Sequence, residues 1–222
     1  MIDRAASSPS PYEARVTVAL RRAKLLAIGD VNPAQGAALW SLGLLEARDI
    51  GTLAAAWLER GQDNASPELA ALALDPPSSL SLAGPSFEAA LAEVGVAIPS
   101  LDEPVLVALQ MYLRAIVERR LPPMAAMAAI DDLYHRRGDA RLHHPNRRPD
   151  DPEQYLGAEL GLEHLYTWYR ELQDAKDGSA LFYYNDLPRD RQLAKFEEHL
   201  IAEAEFLHRH LCRTHPELSG AA

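Results

Sequence analysis

SLDEPVLVALQMYLRAIVERRLPPMAAMAAIDDLYHRR, residues 100–137, is the stretch that decides the fold. Ser100 with Glu103 three residues later has the form of a capping box, and Pro104 falls in the first turn, where its missing N–H costs nothing. A helix is expected from here. Val105, Leu106, Leu109, Met111, Tyr112, Leu113, Ile116 and Val117 cover well over half its circumference and leave a thin polar stripe of Gln110, Arg114 and Glu118, so the helix is expected to be mostly buried. Leu121 is pushed out of helical geometry by Pro122, and Pro123 suits the first turn of a new helix. That helix carries Met124, Met127, Ile130 and Tyr134 on one face and Ala125, Ala126, Ala128 and Ala129 elsewhere, so neighbours can approach closely. The pair reads as a central helical hairpin.

Upstream of the hairpin, residues 1–10 read as a disordered tail, and Tyr12, Val16, Leu20, Ala23 and Leu26 mark an amphipathic helix. Asn32-Pro33-Ala34-Gln35 then starts another, with Asn as cap, Pro in the first turn and Gln reaching back, and Trp40 and Leu44 on its buried face. Asp49 is expected to cap a third, in which Ile50, Leu53, Ala54, Trp57 and Leu58 share one face and Gly61 is the stop. Ser66-Pro67 opens a fourth. Residues 75–85, rich in Pro and Ser, read as an exposed connection to a fifth helix from about Ser86 to Val94, stopped by Gly95.

Downstream, Asp151-Pro152-Glu153-Gln154 repeats the cap grammar of residues 32–35. The helix that follows has two readings: the stripe Ala158, Leu162, Leu165, Tyr169 and Leu172 favours one continuous piece, whereas Gly157 and Gly161 favour a break. A last helix is expected from about Pro188 to Arg213, with Leu193, Phe196, Leu200, Ala204, Leu207 and Leu211 buried. No segment alternates with period two. The expectation is therefore an all-α fold, eight or nine helices in an irregular bundle.

Helices on either side of Pro33 and Pro123 echo each other: Gly36, Ala37, Ala38 and Trp40 correspond to Ala126, Met127, Ala128 and Ile130, and an Ala-Ile pair precedes each proline. Either the chain holds two related helical halves, or two helix–proline–helix joints in an alanine-rich protein simply resemble each other. Two halves would meet near Pro99, giving an N-terminal helical half over 11–99, a C-terminal half over 100–215 and a short tail over 216–222.

With 222 residues, 48% apolar and 24% charged, the chain can bury a sizeable core in one large or two small domains. It has no run of about 18 apolar residues to span a membrane, and Met1 to Pro11 lacks the apolar core of a signal peptide. One cysteine, Cys212, excludes an intramolecular disulfide framework and fits a reducing compartment, so the cytoplasm is expected. Lysine occurs only at Lys24, Lys176 and Lys195, and the preference for arginine and alanine points to a GC-rich bacterial genome. A net charge of −10 argues against a general nucleic-acid binder. Charge is unevenly spread, however: residues 135–148 hold five arginines, three histidines and one aspartate, a local +4.

The run Gly84-Pro85-Ser86-Phe87-Glu88-Ala89-Ala90-Leu91, followed by Leu113-Arg114-Ala115-Ile116-Val117-Glu118 and Pro122-Pro123, resembles small bacterial all-α proteins of no assigned function, some of which accompany secreted toxins as immunity proteins. The resemblance covers about residues 84–135, and Ala126 stands where such a motif often has Gly. It carries no catalytic residue across and implies a binding role.

All eight histidines lie between His135 and His215. His208, Cys212 and His215 fall on one face of the last helix, a spacing able to supply three zinc ligands; against this, Pro216 frays the helix there, and histidines near a helix C-terminus are favoured by its dipole alone. Glu118, Asp132-x-x-His135, Glu163 and Glu205-x-x-His208 occur in the helix order of di-iron carboxylate bundles. Glu205 and Asp132 point about 130° and about 150° away from their apolar stripes, so solvated surfaces explain them better. There is no Gly-rich phosphate loop, no Gly-x-Ser-x-Gly elbow and no His-Glu-x-x-His, and Cys212 has no evident activating base. Arg137-Gly138-Asp139 matches an adhesion tripeptide at a length that arises by chance.

Seven of the fifteen aromatics, Tyr155, Tyr166, Trp168, Tyr169, Phe182, Tyr183 and Tyr184, follow the basic stretch. Arg, Tyr and Trp are enriched at protein interfaces, although core aromatics screened by arginines would give the same pattern. The expected binding face comprises Arg136, Arg137, Arg141, His143, His144, Arg147, Arg148, Tyr183 and Tyr184, docking another protein, acidic in character, or a phosphate-bearing ligand. The expected function is a non-enzymatic interaction module of immunity or adaptor type with no cofactor; the alternative is a metal-binding helical protein using His208, Cys212, His215 and nearby carboxylates.

Overall fold

The computed structural model describes residues 30–62, 66–100, 102–136, 138–146 and 156–216. Eight α-helices and no strand occur among them: α1 Pro33–Ser41, α2 Ala47–Glu59, α3 Pro67–Leu74, α4 Leu80–Glu93, α5 Glu103–Val117, α6 Pro123–Tyr134, α7 Glu163–Asp177 and α8 Arg189–Thr214. No helix among the described residues is long and apolar enough to cross a membrane. The amphipathic segment over 12–26, the cap at 151–154 and the two chain ends lie outside the described residues.

The chain divides into two compact units, one containing Val31 and Gly43–Gly95, the other Asn32–Leu42 and Val96 onward. In the first, α2, α3 and α4 pack on one another. Trp57 is fully buried and stacks on Phe87 at a centroid distance of 5.9 Å, while its ring N–H donates to the Val31 carbonyl at 2.7 Å, so its one polar atom is satisfied inside the core. Helix α2 begins earlier than expected. Glu46 occupies the cap position and Asp49, two residues into the helix, accepts the Glu46 N–H at 2.8 Å, which makes Asp49 the returning half of a capping box rather than the cap. Ser66 caps α3 through the Leu69 N–H, as its spacing predicts, and its hydroxyl also bonds the Glu93 carboxylate at the end of α4.

Helix α4 also starts early, at Leu80, and carries Pro85 in its interior. A proline there forfeits one backbone bond and crowds the residue before it. That residue is Gly84, which has no Cβ to clash, so the helix passes through where the Pro- and Ser-rich sequence predicts a connection.

In the second unit α5 is the hub, packing against α1, α6 and α8. Twelve of its fifteen residues are buried, in keeping with the breadth of its apolar surface. The expected capping box at Ser100 does not form: Asp102 is the residue before the helix and no side chain caps it. By contrast the box at Asn32 is complete, with Asn32 Oδ1 accepting the Gln35 N–H at 2.9 Å and Gln35 Oε1 accepting the Asn32 N–H at 3.1 Å. Gly36, Ala37 and Ala38 are fully enclosed, and their small side chains suit the close packing of α1 on α5.

Helix α5 ends in a Schellman motif. Arg119 N–H donates to the Ile116 carbonyl at 3.0 Å and Arg120 N–H to the Ala115 carbonyl at 2.9 Å, with Arg119 held at φ +54°. Pro122 then turns the chain and Pro123 opens α6, completing the hairpin. The open question over 152–172, of which 152–155 lie outside the described residues, resolves as a break: Gly157 and Gly161 both take left-handed φ, +84° and +63°, around a single 3-10 turn over Ala158–Leu160, and α7 starts only at Glu163. Helix α8, twenty-six residues long, buries Phe196, Leu200, Ala204, Leu207 and Leu211 completely and packs on α5, α6 and α7.

Candidate functional site

The basic stretch leaves α6 and runs as an alternating strap. Ala140, Leu142 and His144 are buried, while Arg141 and His143 between them are exposed. The strap is pinned to the 3-10 turn by the Leu142 N–H donating to the Glu159 carbonyl at 2.8 Å. Glu159 in turn accepts the Tyr134 hydroxyl at 2.6 Å, which joins the end of α6 to the same turn. Nearby, Tyr166 donates to Asp131 at 2.9 Å; burial, followed by that carboxylate, pushes its phenol well above the ordinary tyrosine value and keeps it a donor.

His144 is an inward anchor rather than a surface ligand-binder. It is 3% exposed, lies against His164 and Phe206, and bonds Glu203 Oε1 through Nε2 at 2.9 Å. Its Nδ1 accepts the Asn146 backbone N–H at 3.1 Å, which places the neutral ring's proton on Nε2, donated to the carboxylate. Of the expected loop cations, Arg136 pairs with Asp132 at 3.3 Å and reaches the Leu42 carbonyl, and Arg141 stays at the surface against the Ala140 carbonyl. Arg137, Arg147 and Arg148 lie outside the described residues.

The aromatic residues after the strap are organised by His199 of α8. Its ring stacks on Trp168 at 4.3 Å, and Tyr184, at φ +56°, is hydrogen-bonded to its Nε2 at 2.5 Å. Tyr184 also packs on the buried Phe196, so it serves the interior. Tyr183, one residue earlier and flanking Trp168 at 5.3 Å, faces outward at 47% exposure.

Beside this cluster lies a cleft of about 290 Å³, lined by Leu156, Glu163, Tyr166, Thr167, Arg170, Glu171, Phe182 and Tyr183. Leu156, Phe182 and Tyr183 are three of the seven strongly exposed large apolar residues among those described, and all three line this one cleft. Most of its polar groups are spoken for. Both Glu171 oxygens accept the Phe182 N–H, at 3.1 and 3.3 Å, fixing the loop that carries the two rings, and the Thr167 hydroxyl donates to the Glu163 carbonyl at 2.9 Å. Glu163 Oε2 is a buried oxygen with no hydrogen-bond partner among the described residues.

The arrangement thus brings Tyr183 together with residues that the sequence does not single out as a set, and neither Arg136 nor Arg141 lines the cleft. Leu156, Arg170 and Glu171 carry no motif that marks them; only the local crowding of aromatics pointed here.

On the metal alternative, the described residues contain no group of three or more His, Cys, Asp or Glu able to hold an ion. His208 and Cys212 stand 3.8 Å apart, but Cys212 accepts a bond from Gln110 of α5 at 3.2 Å, and burial followed by the Arg114 guanidinium lowers the pKa of His208. Glu118 is engaged by Arg114 at 2.6 Å and Arg120 at 2.7 Å; the bond to Arg114, ahead of Arg120, holds its carboxyl below the usual value. Glu205 reaches toward Arg209 on its own helix at 3.7 Å. These are surface pairings, not a metal nest. No family model matches the sequence, and neither a curated protein nor a solved structure matches it.

Proposed function

We propose that this chain is a bacterial, cytoplasmic, non-enzymatic interaction module of the immunity or adaptor kind, and that it holds its partner protein at the cleft between α7 and the loop over 181–184. The observation that carries the reading is the convergence of Leu156, Phe182 and Tyr183, exposed by 47%, 80% and 47%, on a single concave site. Exposed large apolar side chains scattered singly need no explanation, but a cluster rimmed by charged groups marks a contact surface. Tyr and Phe supply large area with few torsions to freeze, which is the character of an interface anchor. The loop that presents them is held from behind by Glu171 and His199, so the site is organised before a partner arrives.

Native mass spectrometry of the protein purified gently from its own host tests the reading. A complex with a second protein is expected for the wild type and its loss for the Phe182→Ser, Tyr183→Ser double variant, with the helical circular dichroism of the two unchanged. A bare chain, or a complex indifferent to both substitutions, overturns it.

A further inference from the structure

The cleft is not merely apolar, and its unsatisfied polar atom specifies what enters. Resting on the reading above, we infer that the cleft receives an arginine or lysine side chain of the partner, its charged head on the Glu163 carboxylate and its methylene stem against Leu156, Phe182 and Tyr183. Tyr166 donates to Asp131, Thr167 to the Glu163 backbone, and Glu171 is held by the Phe182 N–H, so each already has an internal role. Glu163 has none for Oε2, which is buried and unpartnered among the described residues. A buried acceptor without a donor is penalised, and an incoming N–H relieves that penalty. The terminal torsion of a glutamate is broad, so a modest rotation presents either oxygen to the cleft.

Charge supports a cation. Two carboxylates, Glu163 and Glu171, line the cleft against one guanidinium, Arg170. The faces of Phe182 and Tyr183 add cation–π attraction, which favours arginine. The net charge of −10 steers a basic partner toward the protein as a whole.

The test uses two peptides, acetyl-Phe-Arg-Phe-amide and the same peptide with citrulline for arginine, which keeps the shape and removes the charge. Titration calorimetry on the full chain is expected to show the arginine peptide binding about tenfold or more tightly than the citrulline one, the scale of a charge-assisted bond with a cation–π contribution. Glu163→Gln should bring the two peptides level, and Phe182→Ser should weaken both. Equal binding of the two peptides to the wild type, or a preference for arginine that survives Glu163→Gln, overturns the inference. So does failure of both peptides to bind. If the native complex still depends on Phe182 and Tyr183 in that case, the interaction reading stands and only the cationic ligand falls.

Discussion

A Cβ built on Gly161 would lie 2.7 Å from the backbone nitrogen of His144 and 3.1 Å from the carbonyl oxygen of Leu142, so the basic strap rests directly on a glycine that only a hydrogen can occupy. Gly161 is also at φ +63°, where a side chain costs about 1–2 kcal/mol before any clash is counted. Both neighbours are backbone and have no rotamer to yield. Gly161→Ala should therefore destabilise the protein by at least about 2 kcal/mol in urea unfolding, with the largest amide shift changes at 142–144 and the start of α7. A variant within about 0.5 kcal/mol of wild type would mean that the strap is not anchored there.

The same strap depends on the neutral tautomer of His144. Since Nδ1 accepts the Asn146 N–H, the Nε2 proton needs Glu203, and the imidazole is buried while the carboxylate is partly so. Replacing Glu203 with leucine strands that donor and should cost about 1–3 kcal/mol, whereas Glu203→Gln retains an acceptor oxygen and should cost less. Nitrogen chemical shifts of the neutral imidazole should place its proton on Nε2 and none on Nδ1. The opposite tautomer would contradict the geometry.

What could be read from the chain alone follows from how local each determinant is. The Asn32–Gln35 box, the Ser66 cap and the double-proline hairpin form from atoms within four residues of one another, and their spacing announces them. Pro85 inside α4 runs against the usual breaker signal, because the glycine before it, which removes the clash, itself reads together with proline as a turn. Ser100 illustrates the converse, since a correct cap spelling goes unused when the helix starts at Glu103. The break at Gly161 was one of two open readings, and its decider is a contact with His144, distant in sequence. For the site, crowding of aromatics sets Tyr183 and Tyr184 together on the expected binding face, but the exposure of the one, the packing of the other on Phe196, the inward turn of His144 and the convergence of Leu156 with Phe182 depend on tertiary packing.

Arg119 occupies the left-handed position that closes α5, a place where helices prefer glycine. Its backbone bonds to Ile116 do not require its side chain, so Arg119→Gly should keep the Schellman motif and relieve the positive-φ penalty. A gain of about 0.5–1 kcal/mol is expected, reduced by the greater freedom of glycine in the unfolded chain. Loss of stability on this substitution would show that the guanidinium contributes contacts that outweigh the strain.

Stability should fall on mild acidification, and His208 is one cause. Burial, then Arg114 across from α5, lowers the pKa of its imidazole, while Glu118 acts weakly the other way. His210 is lowered too, by burial first and then by Arg213. As pH drops through about 6.5 the unfolded chain takes up these protons before the folded one does, so the unfolded state binds more protons and stability decreases with falling pH until the lowered folded values are passed. The contribution is complete above about pH 6.5 and lost below it, the reverse of a histidine held by a carboxylate. Urea unfolding between pH 7.5 and 5.5 should therefore show a decline that His208→Gln reduces without abolishing, because His210 remains. Arg114→Gln should raise the His208 titration midpoint seen by NMR. An unchanged slope in His208→Gln would place the acid sensitivity elsewhere and show that the face shared by α5 and α8 accepts a protonated imidazole at no cost.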